Sequence, residues 1–217
     1  MPLYEIMEFK ISIIDYNAGN LGSIFKAIRF LGAEPIITNK IKEILSSDGI
    51  ILPGVGAFGD CMNNFKKAGF IEKGLFNYII EKKIPFLGIC LGLQMLFDES
   101  EEMGIHKGLG IIKGRIIRFP QGIKCPQIGW NTIEIRQRDH KIFDGIQNGS
   151  YFYFVHSYHA VCMDPNNILA ETEYEGVVFP SMVVKGNIIA TQFHPEKSGK
   201  VGLKLLKNFF EICKEFN

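Results

Sequence analysis

The chain has 217 residues, 47% of them hydrophobic and 22% charged, with 24 Lys and Arg against 23 Asp and Glu. A formal net charge of +1 offers no basic excess for nucleic acid or for an anionic membrane surface. At this length and apolar content disorder is excluded, and one large domain is the leading expectation, with a core that needs no disulfide or metal staple.

The first half alternates short apolar runs with longer amphipathic ones. Residues 10–16 (KISIIDY) read as a buried strand rich in β-branched side chains. Residues 19–31 then place Leu21, Ile24, Phe25, Ile28 and Leu31 at helical spacing, and Gly32 stops the helix. Further strands are expected at 35–38, 49–53 (GIILP) and 85–90 (PFLGIC), with helical patterns at 60–67, 71–82 and 91–101. Such alternation implies parallel strands covered by helices on both faces.

From about residue 110 the rhythm changes. Closely spaced strands are expected at 110–119, 128–135, 150–162, 176–185 and 187–193, with Gly186-Asn187 as a hairpin signal. Residues 198–216 close the chain as an amphipathic helix. No Pro/Ser-rich or highly charged linker divides the halves, so the expectation is one α/β domain with an antiparallel extension in its C-terminal half.

The five cysteines, Cys61, Cys90, Cys125, Cys162 and Cys213, are odd in number, widely spaced and free of any C-x-x-C pair. That pattern argues against a disulfide framework or a structural zinc site and for a reducing compartment. The N-terminal residues lack the pattern of a signal peptide, and no apolar stretch approaches the ~18 residues of a membrane span. The expected location is cytoplasmic.

Gly88-Ile89-Cys90-Leu91-Gly92 follows a buried strand and opens a helical pattern. A nucleophile on such a strand-to-helix turn stands exposed at the sheet edge, and glycines two residues to either side let the chain fold back on itself. A helix N-terminus favours the thiolate and offers free backbone N–H groups to an oxyanion. The bland alternative for Cys90 is a buried core thiol.

A cysteine nucleophile wants a base and a group to orient it. His106 and His140 lie in polar, loop-like surroundings and read as solvated. His156 and His159 flank Ser157-Tyr158 within one expected strand, so they should point to opposite faces as structural histidines. His194 instead ends a strand and precedes Pro195 and Glu196. Proline keeps that segment extended, so residues two apart face the same way and Glu196 can hold the imidazole.

Pro53-Gly54-Val55-Gly56-Ala57-Phe58-Gly59 also leaves a strand directly. It is neither a phosphate loop, lacking Gly-Lys-Ser/Thr, nor a dinucleotide fingerprint, lacking the third glycine. Backbone N–H groups presented to negative charge near Cys90 suit it better, with a plain β-α loop as the alternative.

Taken together, PGVGAFG, PFLGICLGLQMLF and QFHPEKSG resemble the triad-type (class I) glutamine amidotransferases. The resemblance runs from residue 11 to the last helix. FDESEE at 97–102, GWN at 129–131 and YFYFVHSY at 151–158 are similar to the HisH branch in particular, the glutaminase subunits of imidazole glycerol phosphate synthase. It implies a flavodoxin-like, mostly parallel central sheet flanked by helices, with residues 10–216 as the domain proper and 1–8 as an extra start.

The resemblance also implies roles. Cys90, His194 and Glu196 would form the triad; Leu91, Val55 and Gly56 would supply the oxyanion hole; Gly54, Gln94, Glu102 and Ser157 would bind glutamine. Asn20, Trp130 and Lys197 would face a HisF-type (β/α)8 cyclase, the partner that consumes the ammonia. No metal and no cofactor are implied.

One position departs from the branch: Gln127 stands where a histidine is usual, beside the expected partner face. That departure leaves one rival reading open, and a second rival of another class rests on the Cys-His pair alone. The first is a paralogue that supplies ammonia for amidation of a surface-sugar precursor. The second is a stand-alone cysteine γ-glutamyl hydrolase.

Overall fold

The computed structural model describes residues 9–216, and the extra start expected at 1–8 lies outside the described residues. The first half runs β1 (Lys10–Ile14), α1 (Leu21–Phe30), β2 (Glu34–Thr38), α2 (Ile41–Leu45), β3 (Gly49–Gly54), α3 (Phe58–Lys67), α4 (Leu75–Glu81), β4 (Phe86–Cys90) and α5 (Leu91–Gln94). Then come β5 (Phe97–Ser100), β6 (His106–Lys107), β7 (Ile112–Arg118), β8 (Gln127–Thr132), β9 (Glu134–Ile135), β10 (Tyr151–His156) and β11 (Tyr158–Cys162). The chain closes with β12 (Ile168–Tyr174), β13 (Val177–Lys185), β14 (Ile188–Thr191) and α6 (Gly199–Phe216).

The central sheet has eight strands in the order β2-β1-β3-β4-β14-β13-β12-β9. The first five are parallel and the last three are antiparallel additions. In open sheets of this kind ligands sit beyond the carboxyl ends of the parallel strands. A two-stranded ribbon, β10-β8, and a four-stranded sheet, β11-β7-β5-β6, stand beside it.

Side-chain alternation on the buried parallel strands divides the core between two faces. Ile11, Ile13 and Ile51 join Ile24 and Ile28 of α1 and Leu205 and Phe209 of α6. On the other face Ile14, Ile50 and Leu52 meet Phe58 and Phe65 of α3 and Phe76 of α4. Buried positions 205, 206, 209, 210 and 213 recur on one face of α6, the stripe an amphipathic helix needs to cover a sheet.

The expected hairpin at Gly186-Asn187 forms, with Lys185 opposite Ile188 and Gly186 at φ +60°. Four expectations are corrected. The helix expected at 91–101 is one turn, α5, followed by strand β5. Leu109 and Ile112 donate to the carbonyls of Met95 and Leu96 at 2.8 and 2.9 Å, and this non-local pairing overrides a short apolar run that fits either period.

The helix expected at 71–82 begins only at Leu75, because Gly74 adopts φ +62°. The strand expected at 150–162 is broken at Ser157, so β10 pairs with β8 while β11 pairs with β7 in another sheet. The strand expected at 128–135 likewise divides into β8 and β9, and β12 was not anticipated.

Candidate active site

Three motif segments meet because three neighbouring parallel strands end at the same level. Gly54 at the end of β3 is in register with Cys90 at the end of β4, and Thr191 at the end of β14 is in register with Ile89. Neighbouring strands lie ~4.8 Å apart. The loop after β3, the turn after β4 and the segment after β14 therefore leave the sheet side by side.

The turn at Cys90 is sharp. Its backbone holds φ +57° and ψ −109°, outside the ordinary regions for a residue with a side chain. The flanking glycines are required by contact. A Cβ on Gly92 would sit 2.1 Å from the Leu52 carbonyl oxygen, and one on Gly88 2.7 Å from that of Gly92. One on Gly54 would meet Leu91 Cβ at 2.6 Å, so the loop after β3 lies directly against the first residue of α5.

His194 retains extended backbone, but Pro195–Lys197 forms a 3-10 turn, which corrects the expected extended segment. The turn still delivers the contact: His194 Nδ1–H donates to Glu196 Oε1 at 2.9 Å, with the two side chains 2% and 0% exposed. Burial opposes a charged ring here, yet interactions with Cys90 and Glu196 outweigh it and push His194 up to about 10. A protonated imidazole beside a thiol is the arrangement that supports a thiolate nucleophile.

These groups open on a pocket of about 320 Å³, at the small end of ligand sites. All the residues expected for the reaction and for glutamine line it except Gly54 and Glu196, which stand behind Val55 and His194. Glu102 Oε2 accepts from Phe58 N–H at 2.7 Å, tying the start of α3 to the pocket wall. Gln94 donates to the Tyr158 carbonyl at 3.0 Å and to Gln192 Oε1 at 3.1 Å.

Residues 12–213 match the glutamine amidotransferase class-I family. The chain belongs to that family. A protein of Methanocaldococcus jannaschii named imidazole glycerol phosphate synthase subunit HisH is 54% identical to this amidotransferase over 202 residues, 93% of this chain and 99% of its own length. One of the same name from Dehalococcoides mccartyi is 49% identical over 203 residues, 94% of this chain and 97% of its own. Among solved structures, PurLQS from Thermotoga maritima superposes with a TM-score of 0.71 at 18% identity, covering 94% of this chain and 98% of that one, a likeness of fold.

On the amidotransferase's outer surface Trp130 is 55% exposed, and its ring lies 6.2 Å from that of Tyr153. Lys197, also exposed, places Nζ 6.0 Å from the same ring. Asn20 caps α1, accepting from Ser23 N–H at 3.4 Å, and α1 packs on the turn that carries Lys197. Gln127 is not on this face: it is 2% exposed and points inward opposite His156.

The other histidines also correct expectation. The break at Ser157 resets the alternation, so the rings of His156 and His159 both pack against Phe119 and Phe179. His156 Nδ1–H donates to the Tyr158 carbonyl at 2.8 Å, and burial pushes its pKa down to about 3. His106 covers Gly59, and His140 accepts from Ile142 N–H at 3.2 Å, so neither is merely solvated.

Gln192 was missed. It is fully buried, and its Nε2 donates to Cys90 Sγ at 3.7 Å. The signal was present: Gln192 stands two residues before His194 in an extended segment, on the side that carries the imidazole.

Proposed function

We propose that this amidotransferase is the glutaminase subunit of an imidazole glycerol phosphate synthase, acting in histidine biosynthesis. The observation that carries the reading is the buried His194–Glu196 pair beside Cys90 on its strained turn, within a pocket of small-ligand size. Relatives about 50% identical along nearly the whole chain that bear that subunit's name support it.

In the proposed reaction Cys90 thiolate attacks the side-chain amide carbon of glutamine. The tetrahedral oxyanion accepts from Leu91 N–H and from the backbone of Val55 and Gly56, donors that each contribute roughly 3–4 kcal/mol at the transition state. Protonated His194 passes its proton to the departing nitrogen, ammonia leaves, and a γ-glutamyl thioester remains. Neutral His194 then takes a proton from water, whose oxygen attacks the thioester; the carbon–sulfur bond breaks and glutamate is released. Glu196 holds the ring's tautomer and supports its charge throughout.

Ammonia passes to a HisF-type (β/α)8 cyclase docked on the face of Asn20, Trp130 and Lys197, which makes imidazole glycerol phosphate and an aminoimidazole carboxamide ribonucleotide. An exposed tryptophan flanked by tyrosine and lysine has the composition of an interface anchor. Five free cysteines suit a reducing, cytoplasmic setting, and among the described residues no helix is long and apolar enough to cross a membrane.

The test is glutamate release from glutamine by the purified protein, alone and with a HisF-type cyclase plus its ribonucleotide substrate. Strong stimulation in the full mixture is expected. Brisk release that ignores the cyclase would favour a stand-alone hydrolase or another partner.

A further inference from the structure

Beside the triad runs a second chain of polar groups whose sense is set at its far end. A carbonyl can only accept, so Tyr158 fixes the amide of Gln94 with its nitrogen inward, at 3.0 Å. The other N–H of that nitrogen then meets Gln192 at 3.1 Å and selects the oxygen of its amide. Gln192 is thereby left with its own nitrogen toward Cys90 Sγ, at 3.7 Å.

Both donors of Gln94 are spent inside the protein, so its free acceptor oxygen is what it offers the pocket. Gln192 is fully buried, where an amide held by two partners does not rotate freely. The thiol proton has an acceptor in the Val155 carbonyl, 3.9 Å away. That carbonyl does nothing for a thiolate, which needs a donor, and a donor to an ionised group is worth more than one to a neutral group.

We propose that Gln192 is a further catalytic residue, whose carboxamide donates to the Cys90 thiolate and, through Gln94, couples occupation of the glutamine pocket to the reactivity of that sulfur. The proposal rests on the glutaminase reading above. Ligand contact along Ser157-Tyr158 or with Gln94 orients Gln94, Gln94 orients Gln192, and Gln192 presents or withdraws the donor.

The test is alkylation of Cys90 by iodoacetamide at neutral pH, read by peptide mass mapping, with and without glutamine as protectant. Gln192→Met removes both the donor to sulfur and the acceptor for Gln94. Gln192→Glu keeps the acceptor, replaces the donor and adds negative charge. Cys90 alkylation is expected to slow roughly two- to tenfold in the methionine variant, the worth of one hydrogen bond, and further in the glutamate variant. Half-protection should need several-fold more glutamine in the methionine variant and no more in the glutamate variant.

A disturbance of packing gives the opposite order, because glutamate is the closer isostere. That order, or wild-type alkylation in both variants, overturns the donor. Gln94→Met should also slow alkylation although Gln94 makes no hydrogen bond to the sulfur, and an unchanged rate there overturns the coupling. Should the Gln192→Met variant fail to fold, the other two still decide. Wild-type Cys90 that alkylates but gains no protection from glutamine would overturn the glutaminase reading instead, leaving the alkylation order to judge Gln192.

Discussion

The backbone N–H of His194 donates to the carbonyl of Tyr153 at 2.9 Å. Ser198 Oγ closes the clasp, accepting from Tyr153 N–H at 3.0 Å and donating to the His194 carbonyl at 2.6 Å. The ring of the same tyrosine lies against Trp130 and Lys197 on the surface, and the strand continues to Val155 and His156 in the pocket wall. Direct hydrogen bonds thus join the strand under the outer face to the segment that carries His194.

Trp130→Ala should accordingly lower cyclase-stimulated glutamate release by tenfold or more, the scale of a hot-spot anchor. Its effect on stability should stay within about 0.5 kcal/mol, since the side chain is more than half exposed. Titration with the cyclase and thermal melting check the two halves. An unaltered stimulated rate would remove Trp130 from the interface.

Cys90→Ala should abolish glutamine-dependent synthesis by the complex while leaving synthesis from ammonium salts intact. Both rates are measurable in one preparation. Loss of the ammonium-dependent rate as well would assign Cys90 to assembly rather than chemistry.

Gly54→Ala tests the oxyanion loop through packing. The added methyl would meet Leu91 Cβ at 2.6 Å and Gly92 N at 2.8 Å, so the loop must retreat from the turn that carries Cys90. Loss of one oxyanion donor predicts a fall in kcat of roughly 10²–10³-fold, with Cys90 still open to alkylation. An activity within a few-fold of wild type would show that the loop supplies no donor.

Local chemistry made the site largely legible. Glycines at 88 and 92 constrain the backbone whatever the surroundings, so the turn at Cys90 was readable from a few residues, whereas the proline after His194 marked that segment without revealing that it turns. What the chain does between sheets was not. The run after Leu91 is apolar enough for helix or strand, and only pairing with residues 109–112 decides it. The break at Ser157 carries no Gly or Pro signal, and with it went the direction of His159. Gln192 differs: the two-residue period of extended chain places it on the side of His194, whereas the contact between His194 and Glu196 comes from a turn.

Glu196→Gln should lower kcat by roughly 10²–10⁴-fold, because the ring loses the carboxylate that fixes its tautomer and supports its charge. It should also change the alkaline limb of stability. His194 is raised from 6.5 to about 10, so its stabilising contribution is complete below about 6.5 and is lost as pH climbs through about 10. In the variant that alkaline decline should flatten. Thermal melts between pH 6.5 and 10 measure it, and an identical decline would mean that Glu196 does not stabilise the charged ring.

The acid limb belongs to different histidines. His156, pushed down from 6.5 to about 3 by burial, stays neutral in the fold while the unfolded chain takes up its proton. Stability must then fall as pH drops below about 6.5, by at most about 1.4 kcal/mol per pH unit for this one group. His159, lowered for the same reason, adds to the slope, whereas His194 adds none because its contribution is already complete there. His156→Phe gives up the hydrogen bond to the Tyr158 carbonyl, costing about 1 kcal/mol at pH 8. Between pH 6.5 and 4, however, it should lose stability less steeply than wild type, so the two curves converge on acidification. Parallel curves in denaturant titrations across that range would show that His156 is protonated as readily in the fold as out of it.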